Sequence, residues 1–238
     1  MKLFNFIIIA LCLNLSACTG STLPNQKVAA VNSEDASIAR WGKSDMDEVI
    51  EFHQRAAMKS LKALMVKLYH RNPKGRHDAK LRTIEASVNL TFSRSNNYYP
   101  QWESFKATDI VRIALDESYQ GSDRVLPFIV GLRIMIMASY DNHTEFFYLT
   151  NIDAQKLYNS ARNIEIAAWM LAENRDVLGR LLLLSDSLEQ ENRNLSYQRL
   201  IGQLIATQDN LATIMAHKSG RLIKNIVVTA ASMVFLPI

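Results

Sequence analysis

Residues 125–138 read Val-Leu-Pro-Phe-Ile-Val-Gly-Leu-Arg-Ile-Met-Ile-Met-Ala, an apolar run broken only by Gly131 and Arg133. A helix that is apolar on every side is stable only when other elements cover it, so this run predicts a central helix enclosed by several others. Asp123 stands where an N-cap belongs, and Pro127 falls in the early turns, where a missing N–H costs little. The run is shorter than the roughly 20 residues that cross a bilayer, which favours a core helix over a span.

The flanking segments supply the cover. Over 45–71, Met46, Val49, Ile50, His53, Ala57, Leu61, Leu64, Met65 and Leu68 recur at the spacing of one helical face. Ser44 is its predicted N-cap, Asp45, Asp47 and Glu48 suit the positive end of its dipole, and Asn72-Pro73-Lys74-Gly75 stops it. A second helix is expected from near Asp78, burying Leu81, Ile84, Val88 and Phe92, and a third over 108–119, ending at Gln120-Gly121. Further helices are predicted over 153–173, over 175–191 around Leu181 to Leu184 despite Gly179, and over 196–218. Residues 145–150 look extended but have no alternating partner, so they read as a connection. The fold class that follows is all-α, one domain of about six or seven helices over 44–238.

The beginning of the chain has a different character. Met1 and Lys2 form a short basic start, and 3–15 form an apolar run interrupted only by Asn5, Cys12 and Asn14, the pattern of a secretory signal. The Leu15-Ser16-Ala17-Cys18 that closes it resembles the bacterial lipobox. That resemblance implies a signal peptide over 1–17, a diacylglyceryl thioether on Cys18 and an acyl chain such as palmitate on its freed amine. One chain holds a protein only marginally, at about 0.8 kcal/mol per buried CH₂, and several make attachment lasting. Thr19, in place of the aspartate that retains such lipoproteins in the inner membrane, implies the outer membrane, with the body facing the periplasm. The alternative is an ordinary cleaved signal that leaves Cys18 a free thiol. Residues 18–43, polar and rich in small residues, read as a flexible tether. Trp41-Gly42-Lys43-Ser44 imitates the end of a phosphate-binding loop, but Ser37 stands where that loop needs glycine and no strand precedes it.

Composition narrows the chemistry. The two cysteines are Cys12 and Cys18, so on the lipobox reading the mature chain has no thiol nucleophile, disulfide or thiolate metal site. The net charge of +4 comes from interleaved residues, which argues against a nucleic-acid partner and leaves anionic headgroups, peptidoglycan or an envelope protein as partners. No cofactor motif is present.

Candidate sites are few. Glu117-Ser118 resembles the glutamate-serine pair of lytic transglycosylases, in which the glutamate acts as a protonated acid, but that family's later glycine and glutamine signature is missing. Asp141-Asn142-His143-Thr144-Glu145 gathers three potential ligands without the second histidine of a zinc helix, and reads as a solvated loop. His53 on an apolar face reads as a hydrogen-bonded boundary residue. Tyr98, Tyr99 and Trp102, in the polar aromatic loop over 93–103, either contact a partner or pin that loop to the domain. Gly-x-Ser-x-Gly and Ser-x-x-Lys are absent, against the common serine hydrolases.

The stretches 116–124, 156–165 and 231–238 resemble an uncharacterised group of proteobacterial lipoproteins, a likeness that implies no catalytic residues. The expected role is a membrane-anchored structural or interaction protein; the alternatives are a peptidoglycan-acting enzyme using Glu117 and a carrier of apolar ligands. Lys218, Arg221 and Lys224 precede the apolar tail 226–238, too short to span, which is predicted to fold back onto the helices.

Overall fold

The computed structural model describes residues 44–94, 98–147, 151–186, 194–224 and 234–238. The expected signal peptide over 1–17, Cys18 and the expected tether over 18–43 fall outside the described residues. Among the described residues six α-helices follow in order: α1 Asp45–Arg71, α2 Ile84–Ser93, α3 Ala107–Ala114, α4 Val125–Ser139, α5 Ala154–Glu173 and α6 Ser196–Ser219, with a 3₁₀ turn at Pro100–Trp102. Among the described residues there is no strand beyond one isolated bridge, Arg175 to Leu181. The all-α class holds.

The apolar run forms α4, and it is central. It packs against α1, α3 and α5, while α5 lies along α6 and α6 closes on α1. Phe128, Ile129, Val130, Leu132, Met135 and Ile136 are buried. Both interruptions of the run have physical reasons. A Cβ on Gly131 would lie 2.7 Å from Val111 Cγ2, 2.8 Å from Ala107 O and 2.9 Å from Val111 N, so α3 crosses α4 at a point only glycine leaves open. Arg133 donates through Nη1 to Thr91 O at 2.7 Å and through Nη2 to Phe92 O at 3.1 Å and Arg94 O at 3.2 Å. It thereby satisfies the orphan carbonyls at the end of α2. Burial lowers its pKa, an effect that nearby Tyr99 opposes.

α1 is built as its sequence predicts. Ser44 and Asp47 form a capping box, Ser44 N donating to Asp47 Oδ2 at 2.7 Å and Asp47 N to Ser44 Oγ at 3.3 Å. His53 Nδ1 lies 2.8 Å from Val49 O at the edge of the core. A buried polar knot joins the later helices: Tyr140 OH donates to Gln208 Oε1 at 2.9 Å, and Gln208 Nε2 donates to Ser139 Oγ at 3.2 Å and Ser160 Oγ at 3.1 Å.

Three expected elements are corrected. The second helix starts at Ile84 rather than near Asp78, because Thr83 is the residue whose side chain takes Ala86 N, at 3.2 Å. Asp78 is instead buried against Arg76 and Arg82 in a turn, and Leu81 is 79% exposed. The third helix ends at Ala114, five residues early. Asp116 Oδ1 captures Ser118 N at 2.8 Å, and Arg124 Nη1 captures Ala114 O at 3.0 Å and Asp116 O at 2.7 Å, so local side chains outcompete the helical bonds. The helix expected over 175–191 is absent from its described part, 175–186, which forms a tight turn instead.

The described end of the tail, 234–238, lies against the helices. Phe235 and Ile238 pack on the core, Phe235 with Arg112 5.6 Å above its ring, and Leu236 is held by α5. Val227 and Met233, in the same apolar tail, lie outside the described residues. No described helix is long and apolar enough to cross a membrane.

Candidate functional site

The turn that replaces the expected helix is the most distinctive surface feature. Asp176 organises it: Oδ1 accepts from Leu178 N and Arg180 N, each at 2.9 Å, and Oδ2 accepts from Arg180 Nε at 2.8 Å. These bonds hold its carboxyl below the usual range, the Arg180 backbone N–H being the largest cause. Asp176 N donates to Arg180 O at 2.8 Å, Leu182 N to Asn174 O at 3.1 Å, and Gly179 N to Asp176 O at 2.9 Å. Gly179 takes φ +74, a conformation that favours glycine. The remaining tip amide, Val177 N, donates to Glu117 Oε1 at 2.9 Å. With its amides spent internally, the turn presents Val177 and Leu178 outward, 84% and 71% exposed.

The hairpin is anchored at its base. Asn174 Nδ2 donates to Leu115 O at 2.8 Å, while Asn72 Nδ2 donates to Leu184 O at 2.8 Å and Leu184 N returns to Asn72 Oδ1 at 3.0 Å. Leu183 is buried between these clamps. Asp123, 5% exposed, locks the adjoining wall. Its Oδ1 accepts from Leu126 N at 3.0 Å, and its Oδ2 accepts from Tyr69 OH and His77 N, each at 3.1 Å, with His77 Nδ1 at 2.6 Å. The expected cap of α4 is thus Asp123, acting from one residue before the Arg124 that immediately precedes the helix.

Behind the hairpin lie two adjoining cavities of about 770 and 380 Å³, which share Arg124, Leu182 and Leu184. Their walls are apolar through Leu181 to Leu184, and their rims carry Arg71, Lys74, Arg124, Arg175 and Arg180 against Glu117, Asp123 and Asp176. Each of the three carboxylates is already engaged by the donors described above. Partial burial lowers the pKa of Arg124, whose guanidinium also lies 5.3 Å from the Tyr119 ring centre. The arrangement presents excess positive charge beside an apolar tip.

The sequence candidates fall in different places. Glu117 reaches this cleft, but it is exposed, lies in a turn beyond α3 rather than at a helix end, and braces Val177. Tyr98, Tyr99 and Trp102 do not form a flat contact platform. Tyr99 is 5% exposed under Arg94 at 4.7 Å, and burial raises its pKa. Trp102 is half-buried with its ring centre 5.5 Å from that of Tyr99, and Tyr98 is exposed, donating to Glu103 Oε2 at 3.2 Å. Tyr99 is thus buried with Trp102 beside it, while Tyr98 remains in solvent. Asp141, in the 141–145 loop, pairs with Lys156 at 2.5 Å, and among the described residues no three ligands gather as a metal site.

Sequence reasoning missed the hairpin because Leu181 to Leu184 read as a helical face. The signal that would have found it is Asp176 three residues before Gly179, an Asx turn followed by a left-handed position. Comparison with protein-family models, with curated proteins and with solved structures finds no match to this chain.

Proposed function

We propose that the chain is a membrane-anchored lipoprotein facing the periplasm, held through acylated Cys18 at the outer membrane, and that its helical domain has a structural or interaction role in the cell envelope. Lipobox order and position support the anchor. The structural observation that carries the interaction role is the hairpin: a turn with its amides internally bonded that holds Val177 and Leu178 in solvent. Rigid apolar side chains presented this way bind at little ordering cost.

Cys18→Ser tests the anchor. Palmitate labelling should disappear and the domain should leave the membrane fraction; labelling that persists rejects the assignment. A photo-crosslinker at position 178 in the envelope tests the contact role, which fails if no adduct, protein or lipid, forms there.

A peptidoglycan-acting enzyme is the second reading, and one observation favours it: Glu117 lines the larger cavity. Muropeptide release that disappears in Glu117→Gln would replace the interaction role with catalysis.

A further inference from the structure

We infer that the hairpin and its cleft form a second, reversible membrane contact: Val177 and Leu178 dip into an anionic phospholipid surface while the cationic rim behind them receives lipid phosphates. This rests on the lipoprotein reading only for the source of the bilayer. The contact itself stands on the structure.

Three observations converge. First, the tip is apolar and held in shape, since its amides are taken by Asp176, its carbonyl and Glu117 rather than left to pair with another chain. An edge open to strand addition would offer free N–H groups; this one offers side chains. Second, the charge next to the tip has the sign of a headgroup acceptor. Glu117, Asp123 and Asp176 are occupied by internal donors, whereas Lys74 is exposed on the rim. Arg175 flanks the tip directly, while Arg180 is paired with Asp176 at 2.7 Å; a cation beside exposed aliphatics is the order in which interfacial elements place charge at headgroup level and aliphatics below. Third, the geometry of attachment permits it. The hairpin sits at the Arg71 end of α1, and the 27 residues of that helix separate it from Ser44 by about 40 Å. Residues 18–43 reach up to roughly 85 Å when extended, so the anchor and the hairpin can engage one bilayer.

The experiment uses the full chain in vesicles, carrying Leu178→Cys labelled with an environment-sensitive fluorophore, with the identically labelled parent chain as background. Palmitate incorporation is measured on the same preparation. On vesicles containing phosphatidylglycerol the tip label should shift to the blue and be quenched by spin-labelled acyl chains. On purely zwitterionic vesicles this response should be weak. Lys74→Glu should lower the docked-to-undocked ratio by roughly thirtyfold, as expected for a two-unit charge change at an anionic surface. Lys59→Glu, an equal charge change on exposed α1, should leave it unaltered. Val177→Gln, which keeps the amide bonded to Glu117, should reduce insertion without lowering the melting temperature.

An acylated chain whose tip label stays in water overturns the docking while leaving the lipoprotein reading intact. A chain without acylation whose label enters anionic vesicles upholds the docking and rejects the anchor. Equal insertion into zwitterionic vesicles, or equal loss with Lys59→Glu, removes the role of the cationic rim.

Discussion

Asn163 and Leu236 exchange two hydrogen bonds, Asn163 Nδ2 donating to Leu236 O at 2.9 Å and Leu236 N donating to Asn163 Oδ1 at 2.7 Å. One turn earlier on α5, Asn159 Nδ2 donates to Pro237 O at 2.8 Å. The side-chain amides of a helix thus read the main chain of the tail. Asn163→Ala should cost about 1–3 kcal/mol, because it leaves both Leu236 groups without these partners. It should also speed removal of the last residues by carboxypeptidase. A wild-type digestion rate in the variant would show that side-chain packing alone holds the tail.

Gly131→Ala should destabilise the domain even though alanine favours helix. Propensity offers about 1 kcal/mol. The added methyl meets Ala107 O and Val111 N, backbone atoms that yield only if α3 moves, at a cost of about 1–3 kcal/mol. Urea unfolding decides the sign: a raised midpoint would mean that α3 shifts freely.

Alkaline stability should be controlled by two buried phenols. Burial is the first cause holding both Tyr69 and Tyr140 above the ordinary 10.0, and Asp123 reinforces it at Tyr69. A folded-state pKa above the unfolded value contributes fully below the unfolded pKa and is lost as pH rises towards the folded one. Stability should therefore fall above about pH 10, by up to about 1.4 kcal/mol per pH unit for each phenol. Tyr140→Phe should lose about 1 kcal/mol at neutral pH, with its bond to Gln208, and should flatten the alkaline fall. An unchanged alkaline slope would show that Tyr140 does not take part.

The hairpin should be separable from global stability. Gly179→Ala forces a left-handed backbone on alanine, costing about 1 kcal/mol, but its methyl meets nothing within 4 Å. Glu117→Ala removes the acceptor of Val177 N. Both changes should accelerate hydrogen exchange at the Val177 and Leu178 amides while leaving the melting temperature within about two degrees. A large fall in melting temperature would make the hairpin part of the core.

Long, strongly periodic elements were legible from sequence. The bounds of α1 and α6 and the burial of α4 follow from apolar spacing and from the Ser44 cap, because burying such faces outweighs local alternatives. Legibility failed where short polar side chains compete with the helix. Asp116 halts α3, Thr83 delays α2, and Asp176 with Gly179 turns an apparently helical Leu181 to Leu184 into one arm of a hairpin. The candidate site suffered most from this. Glu117 read as a possible acid because its dipeptide was visible, whereas its bond to Val177, 60 residues away, was not. Tyr99 was indistinguishable from Tyr98 until burial separated them.

Lys67 on α1 donates to Ser196 Oγ at 2.9 Å, and Tyr197 OH returns to Lys67 O at 3.0 Å, so the first helix is sealed by the last. This pairing sets the time at which folding can finish. While the ribosome is still adding α5, the apolar face of α1 has no complete partner, and the chain remains an open, extendable thread. Joining the two ends of the domain late thus delays closure of the core through topology alone.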